Sequence, residues 1–122
     1  MKIFALLGSI FALIAVGAGA FGAHAMADKF EPRMIEIWET GVQYQMYHAL
    51  ALFAAAWLYH QTEATVALVA GWSFASGILV FSGSLYLIVL TGVRGLGAIT
   101  PIGGLALMAG WFCCMLAALK LV

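Results

Sequence analysis

Four apolar stretches take up nearly the whole chain, and the charged residues are confined to the gaps between them. Of the 122 residues, 66% are hydrophobic and only 8% are charged. A bilayer core of roughly 30 Å is crossed by about 20 apolar residues in a helix. A chain built this way is an integral membrane protein, and four crossings leave no length for a second folded domain. The formal net charge is +0 and there is no basic run, which argues against nucleic acid as a partner. Cys113 and Cys114 are the only cysteines and are adjacent. Helical neighbours point about 100° apart, so they read as small packing residues rather than a disulfide.

The expected fold is all-α: a polytopic bundle of four transmembrane helices forming one domain, 1–122. The spans fall at about 3–27, 42–60, 65–90 and 101–120, with a short amphipathic interfacial helix at about 32–41 after the first. The first stretch also has the look of a signal peptide, with Lys2 before an apolar run and Ala23-His24-Ala25 as an A-x-A site. Its apolar character continues to Ala27, which favours a retained helix. The segment from Asp28 to Thr40 holds six of the ten charged residues. Pro32 suits a first helical turn. Beyond it, Met34, Ile37, Trp38 and Gly41 share one side, and Arg33, Glu36, Glu39, Thr40 and Gln43 the other. That pattern predicts a helix lying in the interface with Trp38 as its anchor. Gln61-Thr62-Glu63-Ala64 reads as a tight turn, with Trp57, Tyr59 and His60 as an aromatic belt beside it. Thr91 to Gly97 reads as a glycine-rich loop, and Thr100-Pro101 as an N-cap followed by proline at the first helical position.

Small residues recur at helical spacing in every span: Ala12, Ala15, Gly19 and Gly22; Ala51 and Ala55; Ser73, Gly77 and Ser84; Gly103, Ala106, Gly110 and Ala117. Between helices in lipid, close backbone approach takes the place of the hydrophobic effect, so these stripes specify tight packing within the chain or between copies of it. Lys2 and Lys120 on one side face Lys29, Arg33 and Arg94 on the other. Two cations against three do not set an orientation by the positive-inside rule.

Two histidines stand inside the apolar stretches, His24 near the end of the first span and His48 in the second. Both adjoin the Asp28–Thr40 connection, and Arg94 belongs to the same membrane side. Tyr44 and His48 are four residues apart and face the same way, along a line continued by Ala51 and Ala55. A polar mouth of the bundle therefore comprises His24, Tyr44, Gln45, His48, Arg94, Thr100, Gly103 and Gly104 as candidate ligand-binding residues. Arg94 with the free N–H groups of Ile102, Gly103 and Gly104 at a helix start suits an anion, such as a phospholipid headgroup. The competing reading, preferred here, is that His24, His48, Tyr44 and Gln45 hydrogen-bond across helices as packing. Proton carriage by histidine ranks below it. Metal or haem ligation ranks lower still, for want of clustered carboxylates or cysteines. Ser82-Gly83-Ser84 suits either a polar path or tight packing with back-bonding. No nucleophile–base–acid set appears, so neither a catalytic residue nor a cofactor is assigned.

Three motifs, Gly19-Ala20-Phe21-Gly22-Ala23-His24, Tyr44-Gln45-Met46-Tyr47-His48-Ala49-Leu50 and Thr100-Pro101-Ile102-Gly103-Gly104, are similar to those of a widespread family of small membrane proteins, domain of unknown function 423. The resemblance covers essentially the whole chain. It implies a four-helix protein of the bacterial inner membrane, and it implies no established activity.

Two functions follow from these residues. The first is a non-enzymatic accessory protein that binds membrane lipids or a partner, with homo-oligomers formed through the small-residue faces. The alternative is a small homo-oligomeric transporter or channel with a His-lined mouth. Small multidrug exporters of similar size need an acidic residue inside the membrane, and no Asp or Glu lies within any of these spans.

Overall fold

The computed structural model describes residues 2–122. It is all-helical: α1 (Lys2–His24), α2 (Pro32–Thr62), α3 (Thr65–Thr91), a short 3-10 helix (Arg94–Ala98) and α4 (Thr100–Ala118). Each helix packs chiefly on the next in the chain, α1 on α2, α2 on α3 and α3 on α4, with lighter contact between α2 and α4. The core accordingly lies along α2 and α3. Phe4, Leu52, Phe74, Ile78 and Leu107 are buried at its centre, and Met26, Trp38 and Val89 form a second cluster near the α1–α2 connection.

Among the described residues, three helical segments are long and apolar enough to cross a membrane: α1, α3, and α4 together with the 3-10 turn before it. Their outward surfaces are apolar, with Leu13 74%, Leu105 65% and Met108 68% exposed. Side chains of this kind suit hydrocarbon rather than water, and the helix interior beneath them pairs its own backbone polar groups.

α2 differs from the sequence expectation. There is no separate interfacial helix at 32–41; one helix runs for 31 residues from Pro32 to Thr62. At about 1.5 Å per residue it is about 46 Å long, well beyond the roughly 30 Å of a bilayer core. Gly41 is not a hinge. A Cβ there would lie 2.8 Å from the Tyr86 ring, so the glycine lets α3 come close while α2 continues unbroken. Trp38 is correspondingly not an interfacial anchor. It is buried, its Nε1–H donates to the Ala18 carbonyl at 2.8 Å, and its ring packs where Gly22 offers no Cβ. Pro32 does occupy the first turn of α2, after Glu31 in extended conformation.

Two further junctions are tighter than expected. Only Glu63 and Ala64 separate α2 from α3. Glu63 takes up the left-handed conformation (φ 52°) and returns its N–H to the Tyr59 carbonyl, which closes the end of α2. Between α3 and α4, Gly92 plays the same part (φ 74°), but the loop beyond it is wound into the 3-10 helix. That helix runs into α4 with Ile99, not Thr100, at the cap position and already in right-handed helical conformation. Thr100 therefore has no cap to make, and its hydroxyl pairs sideways with that of Ser84 on α3.

Glycines set the helix separations. A Cβ on Gly103 would lie 2.4 Å from the backbone nitrogen of Phe81, so α3 and α4 touch backbone to backbone there. Gly71 and Gly110 instead form sockets for the rings of Phe4 and Phe74, which a Cβ would approach to 2.1 and 2.5 Å.

Candidate functional site

His48 is carried on the buried face of α2 and is 5% exposed. Its Nδ1 lies 2.7 Å from the Tyr44 carbonyl, one turn earlier, and its Nε2 lies 3.0 Å from Nε1 of Trp111 on α4. A carbonyl can only accept and an indole N–H can only donate. The ring is therefore the neutral tautomer with its proton on Nδ1, and Nε2 is an acceptor fixed towards α4. Trp111 and Tyr44 flank the imidazole, with ring centroids 5.9 and 6.1 Å away.

These residues line a groove between α2 and α4 with a volume of about 420 Å³. Its walls are Tyr44, Tyr47, His48, Gly104, Leu107, Met108 and Trp111, with no Asp, Glu, Lys or Arg among them. On α4 the lining residues recur at helical spacing (Gly104, Leu107, Trp111), which places them on one face. Gly104 and Trp111 lie about 6 and 16 Å along α4 from Thr100, so the groove starts about one turn into the helix and reaches just past its middle. Tyr47, Trp111 and Met108 are about half exposed or more and give the groove an opening on the outer surface.

Gln45 turns to the other side of α2 and joins three helices. Its Nε2 donates to the Phe11 carbonyl of α1 at 2.8 Å, and its Oε1 accepts from the Tyr86 hydroxyl of α3 at 2.7 Å. A smaller cleft of about 170 Å³ lies outside it, bordered by Ile14, Leu79 and Gly83 among others. Ser82 donates to the Gly41 carbonyl across the α2–α3 contact, whereas Ser84 bonds back to Phe81 of its own helix. Among the described residues, no buried side-chain nitrogen or oxygen lacks a hydrogen-bond partner. No three His, Cys, Asp or Glu side chains come together there as metal ligands.

The eight residues expected to form one polar mouth thus divide. Tyr44, His48 and Gly104 line the α2–α4 groove, and Gln45 serves the α1–α2–α3 contact. Thr100 is paired with Ser84, and Gly103 lies against the Phe81 backbone. His24 is exposed at the end of α1, and Arg94 is exposed at the start of the 3-10 helix. The anion cradle loses its donors: the N–H groups of Ile102 and Gly103 both go to the Ile99 carbonyl. Ile99, the cap residue between the 3-10 helix and α4, supplies that acceptor, so these two N–H groups are not open to a ligand. Tyr47, Leu107, Met108 and Trp111 are groove residues that the sequence expectation missed. The available signal was the Gly104–Leu107–Trp111 spacing, which matches the His48 face of α2.

A compact set of long apolar helices with lipid-suited outer faces and an uncharged groove defines a small all-helical membrane protein. Comparison with known proteins gives the family. A model described as protein of unknown function (DUF423) matches residues 18–104, and the chain belongs to that family. Similar proteins include the UPF0382 membrane protein YwdK of Bacillus subtilis, 48% identical over 121 residues and 98% of each chain. A UPF0382 membrane protein of Staphylococcus epidermidis is 48% identical over 120 residues, also 98% of each. One of Staphylococcus haemolyticus is 44% identical over 122 residues, covering 100% of this chain and 99% of the relative. No solved structure matches the chain.

Proposed function

We propose that this is a four-span protein of the bacterial inner membrane with an accessory, non-enzymatic role, and that it holds a hydrocarbon chain of a membrane lipid in the α2–α4 groove. The observation that carries this reading is the groove itself: about 420 Å³, within the usual range for a ligand site, and lined by aromatic and aliphatic side chains without a charge. α2 counts as the fourth crossing because it packs along α1 and α3, which are both long and apolar enough to span. The names of the bacillar and staphylococcal relatives fit a membrane location and say nothing of the ligand. A transporter would need a polar path. No Asp, Glu, Lys or Arg lines the groove, so that reading is not adopted.

Native mass spectrometry of protein extracted in mild detergent tests the proposal. The expected result is retained phospholipid that is lost when Gly104→Leu fills the groove, with helicity unchanged. Equal lipid retention by the filled variant would remove the groove from the account.

A further inference from the structure

The geometry points to a more specific occupant: a neutral amphiphile of the lipid phase that carries a hydroxyl, held between the indole N–H of Trp111 and Nε2 of His48. This rests on the groove being a ligand site. The two nitrogens are 3.0 Å apart, and they are a donor and an acceptor of fixed sense. The Tyr44 carbonyl holds the His48 proton on Nδ1, so Nε2 can only accept. Trp111 is 48% exposed and His48 is buried, so a hydroxyl enters from the Trp111 side, by moving the indole off its edge contact with Phe74 (ring centroids 5.0 Å).

A hydroxyl inserted between them accepts from the indole and donates to Nε2. One direct hydrogen bond becomes two, and no proton changes owner. Other head groups fit less well. A carboxylate has no proton to give Nε2 and would enter a groove with no cation on its walls. An ammonium offers the indole nothing to accept with. An alkane leaves the His48–Trp111 bond as it is. The chain behind the hydroxyl would lie along Leu107 and Met108.

The test uses the full chain in detergent micelles, with dodecanol and dodecane as probes and the indole proton–nitrogen resonances as readout. Trp57 and Trp72, 54% and 52% exposed, report general partitioning into the micelle around the protein. Dodecanol should shift the Trp111 resonance saturably, leave Trp57 and Trp72 in place, and move the His48 Nε2 nitrogen. Its apparent affinity should exceed that of dodecane by about 3- to 10-fold, the worth of one net neutral hydrogen bond. Trp111→Phe should erase that margin while dodecane still binds. A para-octylphenol arm separates a phenolic from an aliphatic hydroxyl, the tighter binder naming the source. Equal binding of alcohol and alkane by the unmodified protein would overturn the inference and leave the apolar groove standing. Failure of both probes to bind would overturn the groove as a ligand site, and this inference with it.

Discussion

Replacing Gly103 with alanine puts a methyl group 2.4 Å from the Phe81 backbone nitrogen and 2.7 Å from its Cα. Neither atom can rotate aside. To reach 3.4 Å, the near edge of ordinary contact, α3 and α4 must part by about 1.0 Å. Forcing extra volume into a packed contact costs about 1–3 kcal/mol, and an obstacle made of backbone belongs at the upper end. Alanine returns up to about 1 kcal/mol through its higher helix propensity. The net expectation is a loss of about 2 kcal/mol. The neighbouring glycine supplies the control. A Cβ on Gly104 meets the Phe81 ring only at 3.8 Å, so Gly104→Ala keeps the propensity gain without the clash. It should stabilise by up to about 1 kcal/mol. Two alanines one residue apart should therefore differ by about 3 kcal/mol, with opposite signs. Titration of detergent-solubilised protein with dodecyl sulfate, followed by circular dichroism, measures both. If Gly103→Ala unfolds no earlier than the unmodified chain, or both substitutions shift stability the same way, backbone contact does not set the α3–α4 separation.

Three further outcomes follow from the same packing. Gln45→Met should cost about 1–3 kcal/mol because it strands the Tyr86 hydroxyl; adding Tyr86→Phe should recover part of it, and a double-mutant cycle with no coupling would contradict the hydrogen bond. Phe4→Ala should cost less than the about 3–5 kcal/mol typical of a water-soluble core, since lipid also solvates the Phe4 ring when the unmodified chain comes apart, and it should alter Trp72 fluorescence through the lost edge contact at 5.4 Å. Thr100→Val should cost no more than about 1 kcal/mol in the same unfolding titration; a larger loss would mean that the hydroxyl caps α4 after all.

The sequence was most legible where periodicity acts alone. Helix identities and the inward turn of His48 follow from residue spacing, and the start of α2 from the fit of Pro32 to a first helical turn. The division of α2 at Gly41 was misread because charge density seemed to separate 32–41 from the apolar run. The buried stripe says otherwise: Trp38, Gly41, Gln45, His48, Leu52 and Ala55 keep steps of three or four across the supposed break, and all are buried in the structure. What spacing within one helix cannot supply is partnership between helices. His24 and His48 look alike along the chain, yet only one meets an indole from 63 residues away. Thr100 followed by proline has the form of a cap, but the 3-10 helix before it removes the need for one, and the hydroxyl is used sideways.

The socket for Phe4 bears on the order in which the chain is built into the membrane. Phe4 leaves the ribosome well before Gly71, the third-helix residue against which its ring seats. α1 and α2 can pair as soon as both are made, through Gln45 and Trp38. Their outer ends cannot settle until the two-residue connection at Glu63 has brought α3 back across. α3 is thus the element whose arrival converts a loose helical pair into a defined structure. A chain arrested after Thr62 should be membrane-inserted yet open to proteases around Phe4.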